Sequence, residues 1–118
     1  MALPFDEAMK VLLRFDGNIP IENIASLSCL SLRQFERKCR ERLGVAPKLY
    51  ARLARFSKAY RLRESRPGLS WTNITYECGY FDQMHLIRDF RQFAGVSPGV
   101  ISGTISATPV PLQSTIQI

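Results

Sequence analysis

The fold is decided by the stretch Ser31-Leu-Arg-Gln-Phe-Glu-Arg-Lys-Cys-Arg-Glu-Arg-Leu-Gly-Val-Ala-Pro47. Its composition predicts one helix with both ends marked. Ser31 is a suitable N-cap residue, and Gln34 three positions later completes a capping box. Gly44 supplies a left-handed stop, and Pro47 suits the first turn of a following helix because its missing N–H has no partner there.

The apolar residues of this predicted helix form a narrow stripe. Phe35, Cys39 and Leu43 recur at every fourth position and therefore share one face. Because this apolar stripe is narrow, we expect the helix to pack on a core along one face and to contact an anionic molecule along the other. The basic residues fall largely outside the stripe; they are Arg33, Arg37, Lys38 and Arg40.

A second copy of the pattern follows 51 residues later, from Asp82 to Pro98. Phe35 aligns with Leu86, so an apolar position keeps its character, and Asp82 takes the place of the N-cap Ser31. We interpret the two stretches as an internal repeat of one supersecondary unit. In first-copy numbers, the identical positions are Arg37, Arg40, Gly44, Val45 and Pro47.

The positive charge is concentrated in one part of the chain. The 118 residues have a formal net charge of +6. Residues 1–30 carry two Lys/Arg and four Asp/Glu, residues 31–63 carry eleven and two, and residues 64–118 carry three and four. A solvated face is the simplest interpretation of a charged run, but this imbalance on amphipathic helices favours a surface that binds a polyanion.

Several other classes of protein are not indicated. No run approaches the ~18 apolar residues of a membrane span, and the N-terminus has no signal-peptide pattern. The three cysteines, Cys29, Cys39 and Cys78, lack metal-ligand spacing. They are expected to be reduced, buried thiols of a cytoplasmic protein. One histidine, no paired buried carboxylates and no phosphate-binding loop predict no catalytic site, no metal and no cofactor.

The periodicity along the chain predicts an all-α protein. Short helices precede both capped helices, which gives the helix-turn-helix pattern twice. We expect two homeodomain-like helix-turn-helix subdomains joined by a linker helix. The predicted boundaries are 4–45 for the first subdomain, 46–64 for the linker helix, 65–100 for the second subdomain and 101–118 for a disordered tail.

This arrangement resembles the DNA-binding domain of the AraC/XylS family of bacterial transcription regulators. The stretch Cys78 to Pro98 carries the family pattern most clearly, and the first unit matches through the capped helix and the turn from Gly44 to Pro47. Two departures affect packing. Thr75 stands where the family usually has alanine, which is expected to crowd a helix crossing, and Cys39 replaces the usual phenylalanine.

The first residues of the second helix in each unit are expected to face base edges in the major groove. Arg33 and Arg37 suit guanine and Glu36 suits cytosine, whereas Gln83 suits adenine and Met84 a thymine methyl. The alternative for Arg33 and Arg37 is a solvated face or phosphate contact. For Arg88 it is an ion pair with Asp89 or Asp82, and for His85 it is a helix-packing or phosphate-facing role. The predicted base-contact residues are Leu32, Arg33, Glu36, Arg37, Gln83, Met84, His85 and Arg88.

Phosphate contacts are expected from a second group of side chains. Asp82 is excluded from it because its carboxylate would repel phosphate, and we assign Asp82 to the N-cap. Trp71 follows the Ser70 cap and is expected to belong to the core. The predicted phosphate-contact residues are Ser31, Lys38, Arg40, Lys48, Arg52, Arg91 and Ser97.

The sequence therefore predicts sequence-specific binding of double-stranded DNA, with two recognition helices in successive major-groove segments. The alternative is a basic helical module that binds an acidic protein without reading DNA sequence. Further candidate partners are RNA polymerase and an upstream sensor or dimerisation domain absent from this chain. The chain is expected to be the C-terminal part of a larger regulator or a stand-alone one.

Overall fold

The computed structural model describes residues 1–95. Ser97 and the predicted tail over residues 101–118 lie outside the described residues. The described part contains helices and no strand, so the all-α prediction is confirmed. The helices are α1 (Phe5–Arg14), α2 (Ile21–Leu27), α3 (Leu32–Leu43), α4 (Pro47–Ser65), α5 (Trp71–Glu77) and α6 (Gln83–Phe93). None of these helices has the length and apolar character needed to cross a membrane.

The chain divides into two compact units. The first unit is Met1–Arg55, and the second begins at Phe56. The division falls within α4, the predicted linker helix, so one continuous helix supplies side chains to both units.

The first unit is built on α1, α2, α3 and the beginning of α4. The Phe5 and Phe35 rings lie 5.4 Å apart between centroids and bring α1 and α3 together. Periodicity predicts that Leu13 shares a face with Phe5, Met9 and Leu12, and that Leu43 continues the stripe of α3. Leu13 and Leu43 are 44% and 42% exposed, so both predicted core positions are wrong. The buried core residues are Phe5, Ala8, Met9, Leu12, Ile24, Ala25, Phe35, Cys39 and Ala51.

The corner after α1 is fastened to α4. Gly17 has a φ of +77°, and a Cβ at this position would collide with the backbone carbonyl of Ala51. The Arg55 side chain donates from Nη2 to the Gly17 carbonyl at 3.1 Å and from Nε to Asn18 Oδ1 at 2.7 Å. Only glycine fits a left-handed corner this close to another backbone.

The second unit has an aromatic core. The Phe56 and Phe90 rings meet edge to face at 4.8 Å, and Trp71 meets Phe90 edge to face at 5.3 Å. Thr75 is fully buried, but its hydroxyl donates to the Trp71 carbonyl at 2.7 Å. The buried hydroxyl therefore has a partner. The buried apolar residues are Phe56, Ala59, Ile74, Cys78, Tyr80, Leu86 and Phe90.

The internal repeat is confirmed, with one difference in the turn between the two helices of each unit. Helices α2 and α5 begin 50 residues apart, whereas α3 and α6 begin 51 residues apart. The second turn therefore has one extra residue. Matching hydrogen bonds join Leu30 N to the Ala25 carbonyl and Tyr80 N to the Thr75 carbonyl, at 3.1 and 3.0 Å. The extra residue is then Phe81, which is 84% exposed.

The same alignment pairs two left-handed residues. Cys29 has a φ of +54°, and its counterpart Gly79 has a φ of +81°. Cys29 is also exposed, so the prediction that all three thiols are buried is wrong for this residue. Cys39 and Cys78 are buried, and burial raises the pKa of the Cys39 thiol.

Candidate nucleic-acid interface

The start of α3 is fixed by a complete capping box. Ser31 Oγ accepts from the Gln34 backbone N–H at 3.1 Å, and the Ser31 N–H donates to Gln34 Oε1 at 2.9 Å. Gly44 ends the helix with a φ of +79°. The predicted caps are confirmed. Gln34 is thus held by the cap, while the neighbouring positions can project outward.

The two faces of α3 differ sharply. Phe35 and Cys39 are fully buried against the first-unit core. Arg33, Arg37 and Arg40 are exposed and lie three or four positions apart, so they share the outward face. The other predicted contact residues on α3 are Leu32, which is 37% exposed, Glu36, which is partly buried, and Lys38, which is exposed.

A shallow cleft of about 290 Å³ runs along one flank of α3. Arg42 lies at its edge and is already engaged, because it pairs with Asp6 at 2.9 Å and covers the Phe5 ring at 5.4 Å. The cleft extends the basic surface beside the outward arginines. Its lining residues are Leu30, Gln34, Arg37, Lys38, Glu41 and Arg42.

The start of α6 is fixed by Asp82 and His85. Asp82 Oδ1 accepts from the His85 backbone N–H at 3.0 Å and lies 2.6 Å from His85 Nδ1. These hydrogen bonds, the imidazole one first, lower the pKa of the Asp82 carboxyl. The His85 ring also meets Phe81 edge to face at 5.8 Å. The N-cap prediction for Asp82 is confirmed, and His85, a predicted base contact, has a half-exposed side chain oriented by these two neighbours.

Gln83 and Met84 project from the first turn of α6. Gln83 Nε2 donates to Thr72 Oγ1 at 3.1 Å, a contact between α6 and α5 that the sequence did not predict. Met84 is 67% exposed. Both predicted base contacts therefore lie on the surface of the second unit.

Arg88 occupies a position between solvent and a buried carboxylate. Its Nε lies 3.7 Å from Asp89 Oδ1, and Asp89 is fully buried. The Tyr80 hydroxyl donates to Asp89 Oδ2 at 3.0 Å. The sequence alone suggested Asp89 only as an ion-pair partner for Arg88. Its spacing of three from Leu86 was the signal that it points toward the core.

The remaining predicted phosphate contacts are dispersed. Lys48 is exposed at the first turn of α4, Arg52 is partly buried, and Arg91 is exposed on α6. Other basic residues of α4 serve the fold: Arg63 donates to the Leu69 carbonyl at 2.9 Å and lies 4.9 Å from the Trp71 ring centroid. Charge counting alone therefore overstates how much of α4 can meet a polyanion.

Within residues 1–95, no three or more His, Cys, Asp or Glu side chains are placed together to hold a metal ion. The arrangement offers hydrogen-bond donors, acceptors and positive charge on the second helix of each unit, which are the groups that protein surfaces use to contact DNA.

Comparison with known proteins identifies the family that has this architecture. A family model described as a helix-turn-helix domain matches residues 24–102, more than half of the chain. The chain belongs to the AraC/XylS family. The assignment agrees with the repeat of helix-turn-helix units in residues 1–95.

Relatives and solved structures within the AraC/XylS family share this region. The HTH-type transcriptional activator RhaS of Escherichia coli O139:H28 is 33% identical over 85 residues, which are 71% of this chain and 30% of that protein. This AraC/XylS chain thus spans less than a third of the length of that relative.

Two solved structures share the fold. The DNA-binding domain of the global transcriptional factor AdpA, solved in complex with a target DNA, matches with a TM-score of 0.81 at 26% identity, covering 90% of this chain and 96% of that one. An AraC-type regulator from Chromobacterium violaceum matches with a TM-score of 0.75 at 23% identity, covering 90% and 94%. This second likeness concerns the fold.

Proposed function

We propose that this chain binds double-stranded DNA in a sequence-specific way as the DNA-binding domain of a bacterial transcription regulator. Helix α3 of the first unit and α6 of the second act as recognition helices in two successive major-groove segments. The RhaS relative is a transcriptional activator and the AdpA domain binds a target DNA, which supports this assignment.

The observation that carries the proposal is the outward face of α3. Three exposed arginines project from a helix whose opposite face is fully buried and whose start is fixed by a capping box. Guanidinium groups on a rigid helix can form bidentate contacts with guanine O6 and N7 or bind phosphates.

Helix α6 supplies a different chemistry. It presents an amide at Gln83, a thioether at Met84 and an imidazole at His85 in its first turn, with Arg88 one turn later. Gln83 can read adenine, Met84 can contact a thymine methyl, and Arg88 can read guanine or contact phosphate. We therefore assign most of the electrostatic affinity to the first unit and a large share of base discrimination to the second.

The test begins with selection of duplexes bound by the wild-type chain. Binding is then measured on the selected and scrambled duplexes for Arg33→Ala, Arg37→Ala, Gln83→Ala and Arg88→Ala. Loss of a base contact should cost about 1–3 kcal/mol on the selected duplex and much less on the scrambled one.

The matched control is Lys10→Ala, which removes an exposed positive charge from α1, where it pairs with Glu7 at 3.2 Å. It should leave DNA binding nearly unchanged. Arg88→Ala also needs a thermal unfolding measurement because Asp89 loses a neighbour. Equal losses on both duplexes for all four variants would contradict base readout, and failure of the wild type to select any sequence would contradict the function itself.

We extend the proposal to the biological setting of the chain. It acts in the cytoplasm, where bacterial DNA is found, and it is not an enzyme. RNA polymerase and a sensor or dimerisation domain are its proposed protein partners. The length difference from RhaS leaves room for such a domain in that relative.

A further inference from the structure

The contact between Thr72 and Gln83 carries an inference that rests on the proposed function. We propose that Thr72 is a positioning residue for base recognition: it holds the Gln83 amide in the orientation that reads a base pair. Thr72 itself lies on α5, the first helix of the second helix-turn-helix unit, and not on the recognition helix.

The two side chains are exposed and in hydrogen-bond contact. Gln83 Nε2 lies 3.1 Å from Thr72 Oγ1, within ordinary hydrogen-bond distance. The bond also forms if the amide is reversed, because a hydroxyl both donates and accepts. In either orientation the amide keeps at least one donor and one acceptor for an outside ligand. That pair matches the N7 acceptor and N6 donor of adenine in the major groove.

Thr72 is itself firmly mounted. Ser70 Oγ caps α5 by accepting from the Asn73 N–H at 3.1 Å. The adjacent Trp71 ring packs on Phe90 at 5.3 Å and lies under the Arg63 guanidinium. A threonine in a helix divides mainly between two χ1 rotamers, and the one present here places Thr72 Oγ1 against the Gln83 amide. The flexible Gln83 side chain therefore bonds to a residue whose backbone belongs to a capped helix.

The first unit has no counterpart of the hydrogen bond between Gln83 and Thr72. At the offsets of the repeat, Thr72 corresponds to Glu22 and Gln83 to Leu32, a pair that cannot form the same bond. The contact is thus specific to α5 and α6. It matches the assignment of base discrimination to the second unit.

The expected effect is a loss of preorganisation. Immobilising a rotamer-rich side chain costs about 0.5–1.5 kcal/mol on binding, which corresponds to roughly twofold to tenfold in affinity. The hydrogen bond from Thr72 already restricts the Gln83 side chain in the free protein, so less conformational entropy is lost when DNA binds. Its loss should weaken binding to the preferred base pair, not to DNA in general.

The experiment uses the 118-residue chain and a set of duplexes with every single base-pair change in the selected site. Affinities are compared for the wild type, Thr72→Val, Thr72→Ser, Gln83→Ala and the Thr72→Val/Gln83→Ala double variant. Thr72→Val should reduce discrimination by about twofold to tenfold at the one position where Gln83→Ala acts. Thr72→Ser should restore most of it, and Thr72→Val should add nothing in the Gln83→Ala background.

The outcomes are separable. Equal loss on all duplexes, no loss, or an undiminished effect of Thr72→Val in the Gln83→Ala background would each overturn the positioning role. A wild-type chain that selects no sequence would overturn the proposed function and this inference with it.

NMR spectra of the chain without DNA provide a second readout. The chemical shifts of the two Gln83 side-chain amide protons should change in Thr72→Val. They should not change in the neighbouring control variant Asn73→Ala.

Discussion

At the scale of single residues, Cys29 shows a backbone cost that the chain avoids in its second copy. Its φ of +54° is a conformation that glycine adopts freely, and Gly79 occupies the corresponding position. A residue other than glycine in this region costs about 1–3 kcal/mol. Because the side chain is exposed, little packing offsets the cost.

We expect Cys29→Gly to stabilise the first unit by about 1 kcal/mol, after allowing for the greater freedom of glycine in the unfolded chain. Urea unfolding monitored by circular dichroism measures the change. Cys29→Ala is the control, since it removes the thiol and keeps the strained φ, and it should leave the midpoint nearly unchanged. Stabilisation by alanine as large as by glycine would assign the effect to the thiol.

Asp82 gives the second residue-scale prediction, because its pKa is lowered from an ordinary value of 3.8 by His85. A folded-state pKa below the unfolded one means that the carboxylate stabilises the fold above about pH 4, and that this contribution is lost as pH falls through the folded-state pKa. Asp82→Asn keeps a cap acceptor without the charge. The wild type should therefore exceed it in urea midpoint near pH 6, with a difference that vanishes in acid.

The control for this prediction is His85→Ala. It removes the imidazole that makes the largest contribution to the lowered pKa. In that background the acid-dependent part of the difference should shrink. A difference between the wild type and Asp82→Asn that stays constant from pH 6 into acid would refute a role for the charge.

At the scale of elements, the helix ends were the most predictable features. Local chemistry marks these ends directly in the sequence, at Ser31 with Gln34, at Gly44 and at Asp82. Side-chain contacts between helices were not predictable in this way. The bond from Gln83 to Thr72 depends on how α5 and α6 cross, and no spacing rule fixes that crossing.

Burial was predicted where the apolar stripe was central and missed at its edges. Phe35 and Cys39 are buried, but Leu43, in the last turn of α3, is 42% exposed. Periodicity gives the direction of a side chain and not the extent of the surface that covers it. Asp89 shows the opposite case. Its spacing indicated a side chain directed toward the core, but a carboxylate is usually exposed to solvent, and Asp89 is fully buried.

The corner after α1 gives the element-scale prediction. Gly17→Ala should destabilise the first unit by about 3 kcal/mol, because the left-handed φ and a collision with the Ala51 carbonyl act together. Gly44→Ala is the matched control: its φ of +79° is similar, but nothing lies within 4 Å of the added Cβ. It should cost about 1 kcal/mol. Equal costs in chemical denaturation would show that the collision relaxes away.

At the scale of the whole molecule, positive charge is distributed unevenly along the chain. Residues 31–63 hold eleven of the sixteen Lys/Arg residues, whereas residues 64–118 hold three. Sequence alone located this imbalance correctly. It could not show that Arg55 and Arg63 bond to backbone carbonyls of their own units.

Binding to DNA should reflect this distribution through its dependence on salt. Lys38→Ala combined with Arg40→Ala should lower the slope of log affinity against log salt by about two, and Arg91→Ala by about one. On scrambled duplexes the double variant should lose more affinity than Arg91→Ala, while the order of preferred sequences is kept. A change in the preferred sequence for either variant would reassign those residues to base readout.

The position of Trp71 has a practical consequence for studying the protein. It is the one tryptophan of the chain, and it packs on Phe90 and beneath Arg63, both in the second unit. Its fluorescence is therefore an intrinsic optical probe of that unit, whereas circular dichroism sums the helices of both. Recording both signals in one denaturant titration distinguishes a single cooperative transition from two separate ones, without any label.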